Sequence, residues 1–236
     1  MDNIRVFIGV DDARKLAAKI LMFSIQQNTK QSVQFYYLDK KTISQIIDIN
    51  VLPDMYTGFS FYRWAIPLLC GYKGKAIYLD ADIINFQDIN ELWSTPMNEC
   101  THLMYKNFAS VMLIDCEKAQ WPFIDMVKKA SNDEVFYRNI MWGENDSITS
   151  QNKGELCEYW NYLDEFKPEF DTNAKQVHYT VVENQPWVYL DHPYGNYFYD
   201  LVSKALTKNY INQTEIFKEI ELGYWHPKIF GKLKVI

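Results

Sequence analysis

No run of apolar residues in this chain approaches the length of a bilayer span, which excludes a membrane-spanning helix as the organising element. The N-terminus, MDNIRVFIGV, has neither a basic region nor a small-residue cleavage site, so no secretory signal is read there and a cytoplasmic protein is expected. Positive charge is not in excess. A formal net charge of −6 argues against a broad nucleic-acid or anionic-membrane surface. Cys70, Cys100, Cys116 and Cys157 are widely spaced and form no C-x-x-C pair, so thiols are expected rather than a zinc site or disulfide framework. Neither an internal repeat nor a low-complexity tract divides the chain, and one domain over residues 1–236 is the economical reading.

What is present is an ordinary globular composition. The 236 residues are 48% hydrophobic and 23% charged, enough to bury a substantial core. With 17 Tyr and 7 Trp, some rings can stack on a sugar face or a base, although most serve packing. The informative stretch is KAIYLDADII (75 to 84), in which an apolar strand ends in Asp80 and Asp82. If the extended conformation continues for two residues, both side chains share a face with Cα atoms roughly 6 to 7 Å apart. Two readings fit. Either the carboxylates converge on a divalent cation that offsets their repulsion, or Asp82 begins a turn that Asp80 caps, both solvated.

Strands and helices alternate around this point. IRVFIGV (4 to 10) reads as a strand, followed by Asp11 and Asp12 at a helix start where acidic side chains can cap. Leu16, Ile20, Leu21 and Ile25 recur at helical spacing and predict a helix over 13 to 28. VQFYYL (33 to 38) is a second strand, and 60 to 69 a helix that ends near Pro67 or tolerates it. The β-α-β-α-β order predicts a largely parallel sheet, whose ligands bind beyond the carboxyl ends of the strands, where all four aspartates fall. Further on, SVMLID (110 to 115) and KQVHYTVV (175 to 182) read as strands, 121 to 130 as a helix, and two helices close the chain. Residues 131 to 175 read as irregular, either a loop over a site or a plain surface excursion.

FIGVDD, the segment FYRWAIPLLCGYKGKAIYLDADIINFQDINELW, and a late VHYT followed by Pro186-Trp187 together resemble the family 8 glycosyltransferases, which include glycogenin and bacterial lipopolysaccharide galactosyltransferases. The likeness covers roughly residues 4 to 190 and is anchored in three places in the right order. It implies a GT-A, Rossmann-like α/β fold, with donor binding in about 1–115 and an acceptor and lid part in about 116–236. It further implies a nucleotide-diphosphate sugar donor, most often a UDP-sugar such as UDP-glucose or UDP-galactose, a Mn²⁺ ion, and hexose transfer with retention to a glycan or protein acceptor. By this resemblance Asp80, Asp82 and His178 ligate the metal, and this donor set suits Mn²⁺ better than Mg²⁺. Asp80 also approaches the donor ribose, Asp11 the base or ribose, and Arg63 the phosphates. Apart from the resemblance, His178 reads as a hydrogen-bonded structural residue, Asp12 as a cap and Arg63 as a surface ion pair.

This chain departs from the family pattern at several points. The pattern His, two residues, Gly, two residues, Lys-Pro-Trp becomes HYTVVENQPW, one residue longer, with Val181 at the Gly position and Gln185 before Pro186. A cation is thereby removed from the phosphates, leaving Gln185 with Arg63, or a tail lysine such as Lys228 or Lys232, to serve instead. NFASV (107 to 111) stands where the family reads FNAGV, so its usual Asn is out of register. No clear Asp-Gln pair marks the reacting carbon; Asp146, Glu155 and Asn161 lie in the right region. Two alternatives accompany the transferase reading: a nucleotidyltransferase, disfavoured by the glycine-free DDARKLAAK, and a non-catalytic nucleotide-sugar-binding relative.

Overall fold

The computed structural model describes residues 3–48, 50, 59–142, 148–166 and 169–234. The chain condenses into two compact units interleaved in sequence. One draws on residues up to Asp11 with Gln31–Asp80 and Asn90–Trp160; the other on Asp12–Lys30, Ala81–Ile89 and Asn161 onward.

The first unit is built on a six-stranded sheet. Its strands are β1 (Ile4–Gly9), β2 (Val33–Leu38), β3 (Lys75–Asp80), β5 (His102–Tyr105), β6 (Phe108–Asp115) and β7 (Lys153–Glu155), in the order β2-β1-β3-β6-β5-β7. β1 pairs parallel with β2 and β3, and β5 parallel with β7, while β6 runs antiparallel to both its neighbours. Five strands therefore point one way and β6 reverses, so the sheet is mostly parallel, as the alternating pattern predicts. The reversal follows from the short β5–β6 connection at Lys106 and Asn107, which a parallel crossover could not use. The helix expected over 60 to 69 is a 3-10 turn (Tyr62–Ala65) leading into α3 (Ile66–Leu69). Pro67 falls in the first turn of α3, where a missing N–H costs nothing. Residues 131 to 175 hold more structure than their polar sequence indicates. Asp133 accepts the Phe136 N–H and starts α6 (Glu134–Trp142), and β7 follows.

The core of this unit gathers Phe61, Tyr62, Trp64, Tyr78, Met112, Trp121 and Phe123. His102 is fully buried within it, its ring set edgewise against Trp64 and Trp121, with centroids 6.3 and 5.3 Å away. Nδ1 meets the Thr101 hydroxyl at 3.0 Å, and Nε2 makes no hydrogen bond among the described residues.

The second unit carries a three-stranded sheet in the order β4-β9-β8, formed by β4 (Ile83–Asn85), β8 (Tyr162–Leu163) and β9 (Gln176–His178). α1 (Lys15–Asn28) packs on β4 and on α7 (Gly195–Thr207) through Leu16, Ile20, Leu21 and Ile25, the stripe its spacing predicts. The capping reading of Asp12 is not met. Asp12 lies in a 3-10 turn and pairs with Lys15 at 2.6 Å, and the cap position of α1 is Arg14 with no side-chain hydrogen bond. The strand expected over 175 to 182 stops at His178: Tyr179 N–H still meets the Asp82 carbonyl, the next position of the β4 register, but Thr180 N–H goes to the Asp164 carboxylate. Thr180 thereby leaves the ladder. α8 (Gln213–Glu221) opens with a reciprocal capping box between Asn212 and Glu215.

Burial pushes the pKa of His102 down to about 3, with Lys153 adding to the effect. A histidine whose folded pKa is depressed favours the unfolded, protonated chain once pH drops below its free value near 6.5. Stability is expected to fall by up to about 1.4 kcal/mol per pH unit between roughly pH 6 and 4, and His102→Leu to flatten that slope, read by urea denaturation across this range. A Cβ on Gly9 would sit 2.3 Å from the Tyr78 hydroxyl and 2.6 Å from Phe59 Cδ2. Gly9→Ala should therefore cost about 1 to 3 kcal/mol in the same assay.

Candidate metal and donor site

In the first unit, strand β3 delivers Asp80 to the end of the sheet, directly opposite Gly9 of β1. The Tyr78 hydroxyl donates to Asp80 Oδ1, and the Arg63 guanidinium reaches the same oxygen at 3.3 Å. Arg63 is pinned in turn: Nε donates to the Ser60 carbonyl at 2.7 Å and the guanidinium lies 4.7 Å above the Tyr78 ring. Its side chain is 6% exposed, so it is a buried partner of Asp80 and not the surface ion pair of an exposed helix face. Gly9 leaves the space that the Tyr78 hydroxyl occupies. Asp11 follows β1 and is partly buried.

The extended run does not continue past Asp80. The chain turns at Ala81 and Asp82 and then enters β4, so Asp82 belongs to the second unit, where β4 pairs antiparallel with β9. Ile83 stands opposite His178, which brings the preceding Asp82 up to the imidazole. His178 Nε2 lies 3.3 Å from Asp82 Oδ1, with both side chains only 10% exposed.

The hydrogen bonds around this pair determine what it can hold. Asn161 Oδ1, 3.2 Å from His178 Nδ1, can only accept, so Nδ1 carries the ring proton. In the neutral imidazole the Nε2 lone pair then faces Asp82 Oδ1. Asp82 Oδ2 accepts from Gln185 Nε2 at 2.7 Å, while Oδ1 accepts no hydrogen bond among the described residues. Two electron-rich atoms confronting each other in a buried place call for a cation between them, either a proton or a metal ion. An imidazole whose remote N–H is held by an amide oxygen has the outer-shell arrangement of a metal ligand. The residues present therefore fit a divalent ion. Within the second unit, Asp82 and His178 offer two of the donor atoms that such an ion would need.

The other sequence candidates are placed as follows. Asn161, considered for the reacting carbon, is buried and bonded to His178. Glu155 is exposed on β7 and accepts the Lys106 N–H at 2.9 Å, supporting the β5–β6 turn. Asp146 lies outside the described residues. Gln185, expected near the phosphates, spends its amide on Asp82 and on the Tyr179 carbonyl at 3.1 Å. Of the tail lysines, Lys232 pairs with Asp191 at 3.0 Å, and Lys228 is exposed.

A supporting pair went unread in the sequence. Asp164 Oδ1 accepts from Thr180 N–H at 2.9 Å and the Thr180 hydroxyl at 2.7 Å, and Oδ2 from His192 Nε2 at 2.8 Å. Burial acts to raise the Asp164 pKa, but hydrogen bonds from His192 and Thr180 outweigh it and hold the carboxyl below the usual range. This clamp fixes the chain just after His178. Its members lie 16 and 28 residues from Asp164, a spacing that forms no local motif.

The model of glycosyl transferase family 8 matches residues 8–219. Protein CDI of Arabidopsis thaliana is 24% identical over 219 residues, covering 78% of this chain and 79% of that protein. Among solved structures, the glycosyltransferase GlyE of Streptococcus pneumoniae TIGR4 superposes with a TM-score of 0.59 at 15% identity, over 90% of this chain and 65% of GlyE. The galactosyltransferase LgtC, solved with donor and acceptor sugar analogs, gives 0.57 at 12% identity over 98% of this chain and 100% of LgtC. The chain thus spans just under two thirds of GlyE and about half (51%) of the bifunctional WbbM. At such identities the structural likeness establishes the GT-A fold, while the family model extends over most of the chain. On that match, this chain belongs to glycosyl transferase family 8.

Proposed function

We propose that this protein transfers a hexose from a UDP-sugar, UDP-glucose or UDP-galactose, to a glycan or glycoprotein acceptor, with retention and with Mn²⁺ as cofactor. The observation that carries this reading is the confrontation of His178 Nε2 and Asp82 Oδ1 at 3.3 Å, with a buried amide bonded to each side chain. Asp80, two residues before Asp82 in the chain, supplies the third protein ligand in this proposal. An imidazole with two carboxylates is borderline in softness and favours Mn²⁺ over Mg²⁺. When bound, the ion acts as a Lewis acid on the diphosphate and offsets the charge that grows on the departing nucleotide.

The chain's own groups do the positioning. Arg63 and Tyr78 both hold Asp80 through Oδ1 and so fix the direction of its carboxylate. Asn161 fixes the His178 tautomer, so the imidazole presents a lone pair without first losing a proton. The Asp164 clamp anchors Thr180 and with it the turn after β9. The sugar carbon becomes oxocarbenium-like as its bond to the nucleotide breaks, and the acceptor hydroxyl attacks from the same face and gives its proton to the departing phosphate oxygen, which gives retention without a covalent sugar–enzyme bond.

Release of UDP from UDP-glucose or UDP-galactose in the presence of Mn²⁺ is the test. Asp82→Ala and His178→Ala are expected to lower that release by at least about a hundredfold while keeping a cooperative thermal transition, as removal of a metal ligand requires. Folded variants with undiminished turnover would remove the ligand assignment. Pyrophosphate release from a nucleoside triphosphate would favour nucleotidyl transfer, and inertness toward every donor a binding role. Asn161→Ala has a readout of its own. The ¹⁵N signals of His178 in the metal-free protein should show the Nδ1–H tautomer in wild type and a tautomer mixture in the variant.

A further inference from the structure

We infer that Gln185 is a positioning residue for Asp82 and not a contact for the donor diphosphate. The inference rests on the reading of Asp82 as a cation ligand. Gln185 is 1% exposed, and its Nε2 has two acceptors, Asp82 Oδ2 at 2.7 Å and the Tyr179 carbonyl at 3.1 Å. Both acceptors lack a proton, so only the NH2 end of the amide fits there. This consumes both donors of the side chain and leaves none for a phosphate oxygen.

The backbone gives the residue no freedom to turn away. Its carbonyl accepts from Val188 N–H at 2.7 Å and Tyr189 N–H at 2.8 Å. The Tyr199 hydroxyl donates to the neighbouring Pro186 carbonyl at 2.9 Å, and Trp187 is buried against Phe198, 5.0 Å between centroids. Gln185 thus works from a rigid segment, the setting in which an outer partner can fix a ligand's direction. By occupying Oδ2 it rotates the carboxylate so that Oδ1 faces His178 Nε2. Being neutral, it does so without adding a positive charge that would compete with the ion for Asp82.

Two variants and two titrations test this. Gln185→Met keeps the volume and removes both donors; Gln185→Asn keeps an amide but is one methylene too short to reach both acceptors. Mn²⁺ affinity is measured from the EPR signal of free Mn²⁺, and UDP affinity by calorimetry at saturating Mn²⁺. In both variants Mn²⁺ binding should weaken by about 10- to 100-fold, with UDP affinity unchanged once the metal site is full. If Mn²⁺ affinity is unaltered, whether or not UDP affinity falls, the positioning role is overturned; a fall in UDP affinity alone would make Gln185 a phosphate contact. Should Gln185→Met fail to give a cooperative thermal transition, Gln185→Asn decides by the same criteria. Wild type that binds no Mn²⁺ would remove the proposed function itself, an outcome separate from wild type that binds it with the variants unaffected.

Discussion

A lone pair and a carboxylate oxygen held face to face in a buried place is the constraint on which the rest of this structure depends. Left without a cation, such a pair is costly, since an unsatisfied buried carboxylate oxygen alone loses about 1 to 3 kcal/mol and a charged one more. A protein that needed only a stable core would place apolar side chains there. Instead Asn161 and Gln185, both nearly fully buried, hold the two partners so that neither can turn away. For the proposed ion, ligands fixed before it arrives move the ordering cost into folding, so less of it remains at the moment of binding.

The secondary structure around the pair serves this arrangement. β4 and β9 are three residues each, too short to be stable alone, yet their pairing sets His178 beside the residue that precedes Ile83. Strand β9 ends where Thr180 gives its N–H group to the Asp164 carboxylate instead of to a neighbouring strand. In the other unit, Gly9 matters through what it omits: without a Cβ there, the Tyr78 hydroxyl reaches Asp80.

Much of this was legible in the sequence, and the losses have identifiable causes. The strand ending in Asp80, the helix read over 13 to 28 and formed from Lys15, β2 and the two terminal helices all announce themselves through local pattern. His178 was found through a resemblance rather than through its own neighbourhood, where an apolar strand histidine reads as structural. Strand direction is set by pairing between distant segments, so the reversal of β6 left no trace in its own residues. The same holds for Asp164 and His192, a carboxylate and an imidazole with no motif between them. Gln185 and Asn161 were both picked out, yet for contacts to the donor or the reacting carbon. A sequence shows that an amide is present; only the fold shows which acceptor it meets first.

Replacing a lysine by Gln185 before Pro186-Trp187 changes the charge balance of the site in a definite direction. An ammonium bonded to Asp82 would neutralise part of the carboxylate and weaken its hold on an ion, whereas an amide leaves the full negative charge available. On the proposed function, a cation missing at the phosphates is matched by a stronger metal ligand, and the burden of balancing the leaving group shifts from a side chain toward the ion. Arg63 does not restore the missing charge freely, because its guanidinium is already bonded to Asp80 and Ser60 and lies over Tyr78. Releasing it would leave Asp80 without its buried ion-pair partner, which typically costs about 3 to 5 kcal/mol. On that proposal, a site organised in this way relies on its metal more heavily than one that keeps a lysine at the phosphates.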